Sequence, residues 1–299
     1  MSWQEEVKRR LVTAAVGGYL SDGGASTEPT ALACAALAAV GQLEASWRAA
    51  EWLCQRQQAD GALGISADQD APRWPTSLAV LAWMALHRKT GEARLIDATR
   101  RAIRGMLAIE GKTSDRIEEV GHDTTLIGWP WVAGTHSWVE PTALAVMALK
   151  RTGHADHPRT HEAVKILTDR QFPTGGCNYG NTYILGQELE PHVQPTSVAL
   201  VALVDERASP TIARSATWLS QQWPTVTGLP SRCSAAQALC AFKMTPDDLD
   251  NRLQAEWVRV ANSTPSTYHL ALLSLACLGA KQNPLLPDAW PKSISEAAL

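Results

Sequence analysis

Glu140-Pro141-Thr142-Ala143-Leu144-Ala145-Val146-Met147-Ala148-Leu149 places a proline and a hydroxyl residue ahead of a run that is apolar on every side. The same arrangement opens at Pro29-Thr30, Pro75-Thr76, Pro195-Thr196, Pro230-Ser231 and Pro265-Ser266. Proline is tolerated in the first turn of a helix, where its missing N–H would have lacked a partner, so each pair marks the start of an equivalent helix with the hydroxyl placed as a cap. Runs such as ALACAALAAVG (31–41), SLAVLAWMAL (77–86) and SVALVALV (197–204) have no polar face, which predicts helices buried on both sides and able to approach closely through Ala and Ser.

Between these inner helices lie amphipathic segments with Arg, Lys, Glu and Gln on one face, over roughly 45–58, 92–109, 160–171, 210–222 and 247–261. The prolines are 46, 66, 54, 35 and 35 residues apart. Each interval holds an outer helix, two turns and an inner helix, with the surplus of the second and third in loops. A set of pairs whose inner members stay apolar from first to last favours closure into a ring over an open solenoid with polar caps. The expected fold is all-α: one α/α toroid of about six helical hairpins over residues 1–299, with inner and outer rings. Strand signals are weak.

The composition narrows the functions available. A 299-residue chain with 45% hydrophobic residues and a formal charge of -3 carries no general attraction to nucleic acid or anionic membrane. Its apolar runs fall short of a bilayer span, and Met1-Ser-Trp-Gln-Glu-Glu lacks a signal-peptide pattern, so a cytoplasmic location is expected. Cys34, Cys54, Cys177, Cys233, Cys240 and Cys277 are scattered, as reduced thiols are. No cofactor and no metal site are expected, and the oligomeric state is open.

The outer helices end in a second, weaker repeat. Leu53-Cys-Gln-Arg-Gln57-Gln-Ala-Asp60-Gly61 matches Leu167-Thr-Asp-Arg-Gln171-Phe-Pro-Thr174-Gly175, with Leu219-Ser-Gln-Gln-Trp223 as a degenerate copy. Glycine accepts the left-handed conformation that stops a helix, and a glutamine amide satisfies open carbonyls at its end. On this motif and the Pro-Thr repeat, the chain resembles the prenyltransferase and squalene-cyclase superfamily of terpenoid cyclase-like toroids over residues ~15–280. The resemblance implies an isoprenoid-cyclising or isoprenoid-modifying enzyme, with a small apolar polyprenyl-like ligand in the ring centre near the starts of the inner helices. The family's protonating Asp-x-Asp-Asp motif falls on Trp138–Ala143 and on Ser26–Ala31, where Glu140 and Glu28 take the proton donor's place and the flanking aspartates are absent. The zinc positions of protein prenyltransferases fall on Cys233 and His269, with Ser231 where that family has Asp.

If the inner helices start at one rim, the loops before the prolines converge on one mouth. The segment 121–142 is the densest, with three tryptophans in ten residues: Trp129, Trp131 and Trp138. Aromatic walls stabilise a cation or an apolar ligand. Asp123, Glu140 and His136 are the candidate catalytic residues, and Trp74, Trp129, Trp131, Trp138, Tyr179, Tyr183, His192 and Tyr268 the candidate substrate-binding ones. Two other functions use the same mouth: a non-catalytic lipid- or peptide-binding toroid, or a six-hairpin glycan-active enzyme with paired carboxylates such as Asp123 with Glu140 or Glu190.

Overall fold

The computed structural model describes residues 1–116, 120–184 and 186–290. Twelve α-helices run in chain order among the described residues: α1 (Trp3–Thr13), α2 (Thr27–Ala39), α3 (Leu43–Arg56), α4 (Thr76–Thr90), α5 (Ala93–Leu107), α6 (Val139–Arg151), α7 (Pro158–Asp169), α8 (Val193–Ala202), α9 (Pro210–Gln222), α10 (Leu229–Ala241), α11 (Leu249–Ala261) and α12 (Thr267–Ala276). A two-stranded hairpin, β1 (Tyr183–Ile184) with β2 (Gln187–Glu188), interrupts the long loop before α8.

The even-numbered helices form the inner ring. Each packs on the next, from α2 through α4, α6, α8 and α10 to α12, and α12 returns against α2. The expected closure is therefore present, and the toroid has its six hairpins. The amphipathic helices α3, α5, α7, α9 and α11 lie outside, within a few residues of the ranges read from charge patterning. In α5, Leu95, Ala98, Ala102, Ile103 and Met106 face inward while Arg94, Arg100, Arg101 and Arg104 stay exposed. The sixth outer helix is α1, which carries Val7 and Leu11 into the seam between α12 and α2.

The structure revises the role of the hydroxyl in each Pro-Thr pair. α2, α4, α6 and α8 have no side-chain capping bond. Instead the threonine hydroxyl clamps both backbone groups of one residue in the incoming loop. Thr142 Oγ1 accepts from Trp129 N at 2.9 Å and donates to Trp129 O at 3.3 Å. Thr30 treats Gly17 alike at 3.4 and 3.2 Å and Thr196 treats Cys177 at 2.9 and 3.1 Å, whereas Thr76 Oγ1 accepts from Leu63 N at 3.0 Å and donates to Arg73 O at 2.7 Å. A single buried hydroxyl thus answers an N–H beside an apolar helix, while the carbonyls of Trp129, Gly17 and Cys177 also accept the backbone N–H of Trp138, Ser26 and His192. At α10 the device is different: Arg232 donates to the carbonyls of Trp223 and Val226.

The Gln-Gly repeat docks one outer helix on the next. Gln57 Nε2 donates to Gly61 O at 3.0 Å and to Ala98 O on α5 at 2.8 Å. Gln171 Nε2 donates to Leu167 O at 2.9 Å, and its Oε1 accepts from Ser215 of α9 at 2.7 Å. Gly61 and Gly175 have φ of +90° and +99°, and a Cβ at either would press on a backbone carbonyl, of Arg101 or Arg214 respectively. Glycine is required there by conformation and by closeness together.

Candidate functional site

The inner helices enclose a cavity of about 190 Å³ that opens at the rim where they begin. Its lining repeats along each helix at the spacing of one helical face: Glu28 and Leu32 on α2, Leu78 on α4, Glu140, Leu144 and Met147 on α6, Gln194, Ser197, Val198 and Val201 on α8, Ser234 and Gln237 on α10, and Tyr268 and Leu272 on α12. Four of the mouth residues, Glu28, Trp74, Glu140 and Gln194, occupy one sequence position, the residue immediately before the repeat proline. The fold turns that position toward the ring axis in these four helices.

Around the mouth the order follows the ring: Tyr268, Glu28, Trp74, Glu140, Gln194. The two acids flank a tryptophan. Trp131, from the loop before α6, stands edge-on to Trp74 with ring centroids 4.8 Å apart. Burial pushes the Glu140 carboxyl up to about 7, opposed by a hydrogen bond from the Gln194 amide. Burial also pushes Glu28 up to about 7, with the Glu140 charge adding to it and a hydrogen bond donated by the Tyr19 hydroxyl opposing it. Tyr19 packs on Tyr268 at 5.1 Å. Desolvation, first, and then the carboxylates hold both phenols well above the usual tyrosine range, so they stay as O–H donors.

Of the residues expected from the sequence, Glu140, Trp74, Trp131 and Tyr268 meet at this cavity. Tyr179 stands close enough to be raised by the charge of Glu140 after desolvation, and its ring lies 5.3 Å from that of His192, which precedes α8. The others are elsewhere. Asp123 was expected to face the cavity. Instead its Oδ1 accepts from Thr125 N at 2.9 Å and from Thr125 Oγ1 at 2.6 Å, and these bonds lower its pKa. It forms a self-contained turn, because a short acid is satisfied more readily by backbone two residues on than by a distant wall. His136 lines a separate cleft with Lys112, His122 and Arg170, and its ring lies 4.5 Å from that of Trp138. Trp129 is buried outside the ring's bore, with Nε1 donating to Met106 O at 2.8 Å and Arg159 over its face at 4.3 Å. Tyr183 donates to Gly186 O within the β1–β2 hairpin at 2.7 Å.

The resemblance gave Glu28 the proton donor's place, yet Glu28 was not among the expected site residues, and nothing in the sequence singled out Tyr19. The signal that finds four of the wall residues is positional: at α2, α4, α6 and α8 the residue before the repeat proline faces the bore, whereas Leu229 and Thr264, before the last two prolines, do not line it. Leu285, from the segment after α12, had no such signal.

Cys233 is fully buried, with its thiol held well above the usual range by desolvation, and His269 Nδ1 lies 3.2 Å from Ser266 Oγ. Among the described residues no three His, Cys, Asp or Glu side chains gather as a metal centre, and no helix is long and apolar enough to cross a membrane.

No protein-family model matches the sequence, and no curated protein does. Among solved structures, the fold is similar to a protein from Actinoplanes, with 19% identity over 87% of this chain and 80% of that one and a TM-score of 0.51. It is similar also to the family 76 glycoside hydrolase α-1,6-mannanase from Salegentibacter sp. HEL1_6, with 10% identity over 92% and 98% of the two chains and a TM-score of 0.59. An inactive variant of that mannanase, with two adjacent aspartates replaced by asparagine, holds α-1,6-mannotriose and matches at 9% identity over 95% and 99% with a TM-score of 0.60. These likenesses support the toroid and leave the resemblance to the prenyltransferase and squalene-cyclase superfamily without support beyond it: the chain has an α/α toroid fold in common with glycoside-active enzymes.

Proposed function

We propose that this chain is a glycan-active enzyme in which Glu140 and Glu28 act as an acid/base pair at the mouth of the central cavity. The observation that carries the reading is the pair itself: two carboxyl groups, both raised to about 7, facing one aromatic-walled cavity. Glycoside hydrolysis needs one carboxylic acid to protonate the leaving oxygen and one carboxylate to receive a proton from water or to attack the anomeric carbon. Burial raises both carboxyls and the Glu140 charge adds to the rise of Glu28, so near neutral pH the pair is partly protonated. The Tyr19 hydroxyl donates to Glu28 and the Gln194 amide to Glu140, so each carboxyl has one donor that favours its ionised form against the burial that favours its neutral one. Trp74 and Trp131 offer faces against which a sugar ring stacks.

The mannanase likeness adds to this reading at the level of fold, although the acids come from different places. The only adjacent aspartates here, Asp247 and Asp248, precede the outer helix α11, where Asp248 accepts from Trp223 Nε1 at 2.7 Å. In this chain the pair is drawn from two inner helices.

A second reading, an isoprenoid-type ligand protonated by Glu140, is favoured by the apolar floor of Leu32, Leu78, Leu144, Met147 and Leu272. Its difficulty is volume. About 190 Å³ is the room of roughly six waters and lies below the ~300–1,000 Å³ usual for a whole ligand, so a long polyprenyl chain does not fit inside. The deciding experiment assays wild type, Glu28→Gln and Glu140→Gln on a panel of aryl glycosides that includes α-mannosides, and on prenyl diphosphates. Glycoside turnover lost in both variants supports the pair; turnover of prenyl diphosphates alone replaces this reading with the second.

A further inference from the structure

The ring is open at one end and closed at the other. After α12 the chain crosses the C-terminal ends of the inner helices, and side chains of buried Arg151 and Asn283 and of exposed Arg88 hold it there. Arg151, at the end of α6, donates from Nη2 to Leu285 O at 3.0 Å. Asn283 is fully buried: it donates to Leu275 O on α12 at 2.9 Å and to Gln237 Oε1 on α10 at 3.1 Å, and it accepts from Leu285 N at 2.9 Å. Arg88, near the end of α4, donates to Ala289 O and lies over the Trp290 ring at 4.7 Å. Four inner helices therefore grip one segment, and Leu285 from that segment lines the cavity with Met147, Val201 and Leu272.

A pocket with one entrance takes the end of a molecule and not the middle of a polymer. Which end enters is decided by polarity. Below the rim, Gln237 is engaged with Cys233 O and Asn283 and Ser197 with Val193 O, while the remaining walls are mostly aliphatic. A sugar pushed to that depth would bury hydroxyls without partners, whereas at the rim it meets Glu28, Glu140 and Gln194. An apolar group has the opposite preference.

We propose, resting on the glycoside reading of this same cavity, that the substrate is a sugar carrying a short apolar aglycone. The sugar lies at the rim between Glu28 and Glu140, the aglycone extends against Leu144, Met147 and Leu272, and Leu285 sets the aglycone length the pocket accepts. Residues 279–290 are the floor of the site as well as the plug of the ring.

The test is a chain-length series read by quenching of tryptophan fluorescence, since Trp74 and Trp131 line the pocket. The probes are n-alkyl α-mannosides from methyl to decyl and the matching n-alkanols, which carry no sugar. Affinity rises about fourfold per methylene while the chain is being buried and then levels off where it meets the floor. Leu285→Ala moves that levelling point outward by about two methylenes, and Leu285→Phe moves it inward. If either variant fails to fold, the wild-type series still decides, because a gain that continues unbroken to decyl means there is no floor. An unbroken gain, or a levelling point that neither variant moves, overturns the assignment to Leu285. Turnover of glycosides at rates indifferent to aglycone length removes the proposal and leaves the glycan reading standing. A movable levelling point in the alkanols with no glycoside turned over upholds the Leu285 floor and removes the glycan reading.

Discussion

Glu28 and Glu140 stand each at the residue before the repeat proline, on inner helices two places apart in the ring, and the charge of Glu140 raises the Glu28 carboxyl. The pair is built by symmetry of the fold and tuned by what differs around each member, a tyrosine hydroxyl on one side and a glutamine amide on the other.

Replacing either acid by glutamine should cut glycoside turnover by about 10²–10⁴-fold, the usual contribution of a general acid or base. Melting temperature should not fall, because a neutral amide is easier to bury than a carboxylate. A variant that keeps full activity while remaining folded would remove that residue from the pair.

The pH dependence of stability has a definite sign. Both carboxyls are raised in the folded chain, from 4.5 to about 7, so the folded state holds more protons than the unfolded state between those values. Their favourable contribution is complete below about 4.5 and is lost as pH rises through about 7. Glu140→Gln should therefore be more stable than wild type at pH 8.5, by roughly 1–3 kcal/mol, and the difference should shrink toward pH 4.5. Denaturant titrations at the two pH values measure it.

Activity should follow a bell centred near neutrality, since turnover requires one member of the pair protonated and the other ionised. Tyr19→Phe removes the donor that favours ionised Glu28 and should move the limb set by Glu28 upward, with the fold intact. A limb that stays in place would separate Tyr19 from Glu28.

Thr142→Val keeps the shape and removes the clamp on Trp129, taking away the acceptor of its N–H while its carbonyl keeps the bond from Trp138 N. The expected cost is about 1–3 kcal/mol, read as a lower midpoint in denaturant with an unchanged slope. Gly61→Ala should cost more than a surface substitution does, roughly 2–4 kcal/mol, through a left-handed φ and a collision with Arg101 O.

Asp123→Asn should leave turnover within about threefold of wild type. The Asp123 carboxylate closes a turn with Thr125, which an asparagine also adopts. A loss like that of Glu140→Gln would place Asp123 back in the chemistry.

Much of the ring was legible because one physical requirement recurs. A helix apolar on all sides must be enclosed, and six of them marked by the same proline start must be enclosed alike. The outer helices were legible from their charged faces, and α1 was missed because no repeat proline precedes it. Of the site, Glu140, Trp74, Trp131 and Tyr268 were legible from their place beside helix starts. Asp123 and His136 were drawn to the mouth by proximity along the chain, but a long loop finds its partners outside the bore: the indole of Trp129 donates to Met106 O on α5, and Asp123 closes a turn with Thr125.

By itself the sequence determined the periodic part of this protein: six hairpins, two rings, and acids, amides and aromatics at their starts. Period is a local property, written every time the chain repeats. Tertiary structure alone decided that Glu28, Trp74, Glu140 and Gln194 turn inward while Leu229 and Thr264, before the last two prolines, do not line the cavity, and that a non-repeating segment after α12 crosses the far end with Leu285 in the cavity. Those depend on contacts between residues distant in sequence, such as Arg151 with Leu285, which no local pattern encodes.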